Sequence, residues 1–287
     1  MRAFAASLGL LGVAALAAGP AYAGDNDPAL QRLCRGFNPG NPTLPCGTNV
    51  GADQAGFAKL AREYAFALAP KLLSPAETLG VNGFQFGLLY GASTIRSDEP
   101  YWQRGVEDES PPSMLHTLTL DMRKGLPFSL EVGGQATYLL DSELWAFGGS
   151  VKWAINEAVD QFPVDVAVRG GVSHMVGSTQ MSLTMVSVDA IVSRSFGVGG
   201  VVNIGPYLAY SPVLSYARSG VIDATPGTST ETDPADITNS FAFAGEDDVI
   251  HRFVIGARFI FGALVFTPEA VLTEGLQQYN AQLGIDF

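Results

Sequence analysis

The chain has 287 residues, with 28 acidic and 16 basic side chains and a formal net charge of −12. Hydrophobic residues make up 47% of it and charged residues only 15%, which excludes a disordered chain. So acidic a balance argues against a nucleic-acid partner, whose phosphates need cations. The mean hydropathy of +0.20 calls for a thick apolar core or for contact with lipid.

Met1-Arg2 is a short basic start, and Ala3 to Ala18 is an apolar run. Gly19-Pro20 breaks the run, and Ala21-Tyr22-Ala23 gives a small-x-small pattern before Gly24. This layout predicts a cleaved secretory signal peptide over 1–23. No cysteine follows Ala23 directly, which argues against a lipoprotein anchor. No later stretch approaches the ~18 continuous apolar residues of a membrane helix.

Residues 24–79 form a separate N-terminal segment. Cys34 and Cys46 bracket a Pro- and Gly-rich loop. In an exported chain this spacing predicts a disulfide; neither a histidine nor a third cysteine lies near enough in sequence to suggest a metal site. Phe57, Leu60, Ala61, Tyr64, Ala65 and Leu68 recur at three and four residues, predicting a helix over 53–69 with Asp53 as cap and Pro70 at its end. Ser74-Pro75-Ala76-Glu77 predicts a second helix start, stopped at Gly80.

From residue 80 the period becomes two. Phe84, Phe86, Leu88 and Tyr90 alternate with Gly83, Gln85, Gly87 and Leu89, the pattern of a strand with unlike faces. The alternation returns near 117–123, 128–138, 145–153, 164–172, 180–194, 202–216, 252–259, 264–272 and 278–287. In the stretch at 180–194, Met181, Leu183 and Met185 fall on the face opposite Val186, Val188, Ala190 and Val192, and a β-bulge near Met185 is expected to reconcile them. Long polar connectors at 96–113 and 217–248 fall at one end of the strands. The short turns at Lys124-Gly125 and Phe261-Gly262 fall at the other, the asymmetry expected of a membrane barrel.

The chain ends at Phe287, with Tyr279, Ala281, Leu283 and Ile285 on the same face. The exported start, the alternating strands and this terminal aromatic resemble bacterial outer-membrane β-barrel proteins over about 80–287. The resemblance implies a cell outer membrane location and contact with lipid and lipopolysaccharide. It also implies an assembly signal at Tyr279, Leu283, Ile285 and Phe287, presented to the barrel-assembly machinery. The expected fold is all-β: a closed antiparallel up-and-down transmembrane barrel of about ten strands (range 8–12), following a periplasmic segment at 24–79.

The polar strand face carries Asp121, Glu131, Asp165, Asp189 and Glu269 against Arg123, Lys152, Arg169, Arg252 and Arg258. A buried charge needs a partner, so these residues are expected to form a charge network in the lumen. About eight strands leave a barrel filled by side chains. A ten-stranded one is therefore expected to exclude a helix of ~10 Å diameter, which puts the 53–69 helix at the periplasmic mouth.

Chemical motifs are sparse. No phosphate loop, zinc-protease helix or nucleophile elbow appears, so no catalytic, metal or cofactor residue is assigned. Ser173 and His174 are neighbours on a strand and point to opposite faces. His116 and His251 lie on apolar faces. The loop carrying Asp223, Glu231, Asp233, Asp236, Glu246, Asp247 and Asp248 lacks the EF-hand calcium spacing. Tyr101-Trp102 is expected to seat its loop at the membrane interface, with contact to a ligand as the alternative. The functional reading is a narrow channel for a small solute or ion, or a structural or binding barrel. Alternatives are an enzyme with its site at the extracellular rim and a surface adhesin acting through its loops.

Overall fold

The computed structural model describes residues 24–35, 37–38, 46, 51–108, 110–155, 163–224 and 240–287. The expected signal peptide, most of the loop between the cysteines, the connector at 156–162 and the acids Glu231, Asp233 and Asp236 lie outside the described residues. The strands, in chain order, are β1 Phe84–Thr94, β2 Met114–Leu126, β3 Leu130–Leu139, β4 Trp145–Ala154, β5 Asp165–Val176, β6 Met181–Ser193 and β7 Phe196–Val198. They continue with β8 Val202–Ser219, β9 Ile222–Asp223, β10 Ser240–Phe241, β11 Glu246–Phe261, β12 Leu264–Thr273 and β13 Leu276–Asp286. Two α-helices are present, α1 Gln54–Leu68 and α2 Pro100–Gly105.

Ten of the strands close into an antiparallel barrel. Sequential neighbours pair throughout, β8 follows β6 directly, and β13 closes on β1 through pairs such as Leu88↔Leu283 and Phe86↔Ile285. Lipid offers no hydrogen-bond partner, and closure leaves no strand edge along the paired wall to need one. Round the ladder the registers accumulate a stagger of about twelve residues, which tilts the strands and widens the ring.

The outward face is apolar. Leu88, Leu120, Phe147, Trp153, Val172, Leu208, Ile255 and Leu283 all stand exposed there. The β1–β2 and β8–β11 connectors share one mouth, the loop end; the chain terminus and the turns after β2 and β11 share the other, the Phe287 end.

Two local expectations change. β2 runs through Leu126, so the turn falls at 127–129 and not at Lys124-Gly125. Pro127 has no N–H to extend the ladder, and Phe128 and Ser129 take positive φ of 66° and 57°. β6 carries no bulge: Met185 pairs with Ser173 and Ser215 in the same register that pairs Asp189 with Arg169. Met181, Leu183 and Met185 face inward and are buried, because something apolar fills the lumen at that height.

Candidate functional site: the occupied lumen

That filling is α1. Asp53 caps the helix by accepting from Gly56 N at 3.1 Å, and its apolar stripe of Phe57, Leu60, Tyr64 and Leu68 is fully buried. The stripe packs into one cluster with inward residues Leu115, Leu139, Met181, Leu183, Met185, Val213 and Ile250. The helix touches β1, β2, β6, β8 and β11, so it lies within the barrel at the loop end. This corrects both the mouth expected for it and the narrowness argument. Strand stagger widens the ring, and small inward residues such as Ala146 and Ala217 spare further room.

The N-terminal residues bind the same end. Asn26 N donates to Asp141 O at 2.9 Å, Ala29 N to Gly105 O at 2.8 Å and Glu107 N to Asp27 O at 3.0 Å. Asp27 accepts from Ser142 Oγ at 2.6 Å. Cys34 and Cys46 form a disulfide, with Cα atoms 5.8 Å apart.

Residues 69–79 then run through the lumen from α1 toward β1 as an extended strap. The second helix expected at Ser74–Gly80 does not form. Side chains from the barrel wall take the backbone groups that a helix would use. Leu73 N donates to Glu269 Oε2 at 2.9 Å, Ala76 N to Ser193 Oγ at 2.9 Å and Leu79 N to Glu131 Oε2 at 3.1 Å. Lys152 Nζ donates to Ser74 Oγ at 2.6 Å, Pro75 O at 3.1 Å and Glu77 O at 2.7 Å. Gln135 brackets Lys71, accepting from its N–H at 3.0 Å and donating to its carbonyl at 2.9 Å.

The ten charged residues picked from the sequence line this half of the lumen, and nine of them are buried. Arg123 lies 2.9 Å from Asp121, Lys152 3.1 Å from Glu131 and Arg169 2.9 Å from Asp189. Arg252 stands 4.0 Å from Asp189 and donates to Pro70 O of the strap at 3.3 Å. Arg258 pairs with Asp286, a partner the sequence reading left out of the network. Glu269 has no cation partner among the described residues. It accepts from Tyr207 Oη at 2.8 Å, Asn280 Nδ2 at 3.0 Å and the strap. Asp165 is only half-buried, at the Phe287 end, sharing a hydrogen bond with Glu77.

Sequence reasoning also missed Glu63. Its buried carboxylate accepts from Tyr101 Oη at 2.7 Å, Trp102 Nε1 at 2.6 Å and Arg96 N at 3.0 Å. Tyr101 and Trp102 are therefore buried against the plug and do not reach the membrane interface. Burial, and then the hydrogen bond to Glu63, pushes the Tyr101 phenol up.

The three histidines lie on the outer wall. His116 Nδ1 bonds Tyr90 Oη at 2.8 Å, His174 Nδ1 bonds Thr184 Oγ1 at 2.8 Å and His251 Nδ1 bonds Tyr210 Oη at 2.7 Å. Polar-tipped rings of this kind suit the boundary of the apolar layer. Among the described residues no group of three or more His, Cys, Asp or Glu is placed to hold a metal ion.

A closed antiparallel barrel of ten strands, apolar outside and polar over much of its inside, is the fold of bacterial outer-membrane β-barrel proteins. No family model and no curated protein matches the chain. Among solved structures, it is similar to Ail, the attachment invasion locus protein of Yersinia pestis, at 10% identity and TM-score 0.29, over 72% of this chain and 99% of that one. Neisserial surface protein A gives 7% identity and TM-score 0.32, over 71% and 94%. The N-terminal β-barrel domain of Pseudomonas aeruginosa OprF gives 11% and 0.29, over 72% and 99%. At these scores the class rests on the closed ladder and its apolar outer face, and the neighbours add nothing about activity.

Proposed function

We propose that this is an outer-membrane barrel closed by its own N-terminal segment, acting as a structural and surface-binding protein and not as an open pore. The observation that carries the reading is the strap at 69–79. Its backbone is hydrogen-bonded by side chains from β3, β4, β5, β6, β11 and β12, while α1 fills the mouth above it. With the short turns and Phe287 on the periplasmic side, segment 24–79 passes up the lumen and presents its disulfide-closed part at the cell surface. Tyr279, Leu283, Ile285 and Phe287, all outward on β13 and its end, form the strip offered to the assembly machinery. Lipid and lipopolysaccharide cover the rest of the wall.

Purified protein in a planar bilayer tests this. The intact chain is expected to give a silent baseline, and a chain lacking residues 24–79 is expected to give discrete conductance steps once its folded state is verified by heat-dependent gel mobility. Steps from the intact chain would sink the plugged reading in favour of a narrow channel.

A further inference from the structure

Gly24 sits in a socket against the turn between β3 and β4. Its carbonyl accepts from Asp27 N at 2.9 Å, and Asn26 N donates to Asp141 O at 2.9 Å. Asn26 Nδ2 donates to Leu140 O at 3.1 Å. A β-carbon on residue 24 would lie 2.6 Å from Asp141 O and 2.6 Å from Ser142 Cα, both backbone atoms that cannot swing away. Glycine, with no β-carbon, is the residue that fits there.

Asp27 forms the floor of the socket and is 7% exposed. Its Oδ1 accepts from Ser142 Oγ at 2.6 Å and from Glu143 N at 2.9 Å. Its Oδ2 accepts from Gly24 N at 2.7 Å. No lysine or arginine pairs with it among the described residues, and a buried carboxylate without a cation is costly. Asp25, Asp141 and Glu143 flank the socket with exposed acidic residues. Asn26 Oδ1, in the same turn, is buried without a partner among the described residues.

The atom that faces Asp27 is the one that signal processing would change. Ala21-Tyr22-Ala23 is the small-x-small pattern behind which a signal peptidase cuts. Hydrolysis of the Ala23–Gly24 bond consumes one water and leaves a carboxylate on Ala23 and an ammonium on Gly24. The Gly24 nitrogen then carries three protons and a positive charge opposite Asp27 Oδ2, and a charge-assisted bond of this kind is stronger than the amide one. The sequence pattern and the socket are independent observations, and both select the same atom.

We propose that Asp27 and the β3–β4 turn form a binding site for the chain's own processed N-terminus, the α-ammonium of Gly24 supplying the cation that Asp27 lacks. Processing then precedes closure of the barrel. On the plugged reading above, Gly24 lies at the cell surface, and a chain still tethered to the inner membrane by its signal peptide cannot bring Gly24 to the loop end. The site rests on that reading for this order of events and not for its geometry.

The test is amine labelling of the full chain, exported by a bacterial host and purified from its outer membrane. Intact mass is expected to give a chain that starts at Gly24. Limiting acetylation near neutral pH, followed by digestion and mass spectrometry, reads the α-amine against the exposed Lys59. In the folded wild type the Gly24 amine is expected to react at least about tenfold more slowly than in the unfolded chain. Asp27→Asn keeps the shape of the socket and loses its charge. Gly24→Ala keeps a small residue behind the cleavage point and fills the socket. Each is expected to remove the protection while Lys59 reacts as before, and heat-dependent gel mobility verifies that both variants fold. A chain that starts elsewhere, a folded α-amine that reacts as fast as the unfolded one, or unchanged protection in folded Asp27→Asn would overturn the proposal. Conductance steps from an intact chain whose amine is still protected would sink the plugged reading and leave this site standing.

Discussion

Glu63 is one of the points at which the plug is latched to the β1–β2 loop. Its carboxylate is 1% exposed and holds Tyr101, Trp102 and the Arg96 amide at 2.6–3.0 Å, with the Arg96 guanidinium 3.7 Å away. Glu63→Gln keeps the shape and one accepting oxygen but loses the charge. Hydrogen bonds to a charged group contribute ~1.5–3 kcal/mol against ~0.5–1.5 for neutral ones, so the latch weakens by about 1–2 kcal/mol. Glu63→Ala strands three donors at ~1–3 kcal/mol each, about 3–6 kcal/mol in all once water enters. At ~1.4 kcal/mol per decade, hydrogen exchange at the Arg96 amide and the Trp102 indole is expected to speed up about tenfold in the Gln variant and at least about 100-fold in the Ala variant. Amides of Leu88 and Leu120 in the wall keep their rates. The Tyr101 phenol adds a pH signature. Its folded value is raised by burial and by Glu63, so its contribution is complete below the unfolded value of ~10 and is lost as pH rises through the folded one. Wild-type loop exchange therefore accelerates, beyond the ordinary base-catalysed rise, only above about pH 10, and Tyr101→Phe removes that step. Equal rates in the Gln and Ala variants, or acceleration of the wall amides together with the loop, would refute the latch.

Two further pairs of substitutions test the lumen and the wall. Lys152→Met leaves the Glu131 carboxylate buried without its cation, at ~3–5 kcal/mol, whereas adding Glu131→Gln restores most of that loss. The temperature at which the fast-migrating folded form disappears on gels reports both, and identical values for the single and double variants would show that the pair does not carry the effect. Leu120→Arg, mid-strand and 60% exposed, is expected to cost ~2–4 kcal/mol in a bilayer, while Phe128→Arg in the 127–129 turn costs ~0–1. Similar costs measured by refolding into vesicles would contradict the placement of the apolar layer.

The wall was legible in the sequence because alternation reports a difference between two environments. Where lipid faces Leu118, Leu120 and Met122 and the lumen faces Thr119, Asp121 and Arg123, the contrast is complete. In the first half of β6 both faces are apolar, since Met181, Leu183 and Met185 meet α1. The two-residue period then loses its contrast, and a bulge looks necessary where the strand is regular. The strap was illegible for a related reason. Ser74-Pro75-Ala76-Glu77 carries a sound local signal for a helix start. That signal is overridden by Lys152, Ser193, Glu131 and Glu269, which lie far along the chain. Tyr101 and Trp102 were likewise assigned by composition to an interface, and only the position of Glu63 shows why they turn inward.

The two halves of the lumen explain why the plug and the wall belong to one folding unit. The loop-end half is apolar and gains stability by burying α1. The Phe287-end half is charged, and its ion pairs leave donors and acceptors over: Arg169 Nη2 donates to Lys71 O at 2.9 Å, Arg252 to Pro70 O, Lys152 to Pro75 O and Glu77 O, and Glu269 accepts from Leu73 N. An extended strap with no ladder of its own offers the free backbone groups that these side chains need, which a helix does not. Leu73 even holds a φ of 50°, a conformation a β-carbon disfavours, while its N–H is taken by Glu269. Withdrawing the strap would expose these buried charged groups together, each at ~1–3 kcal/mol unless water replaced every contact. A plug that slides out to open a pore would have to meet that sum at once. On the reading proposed above, the interior favours a permanently filled barrel.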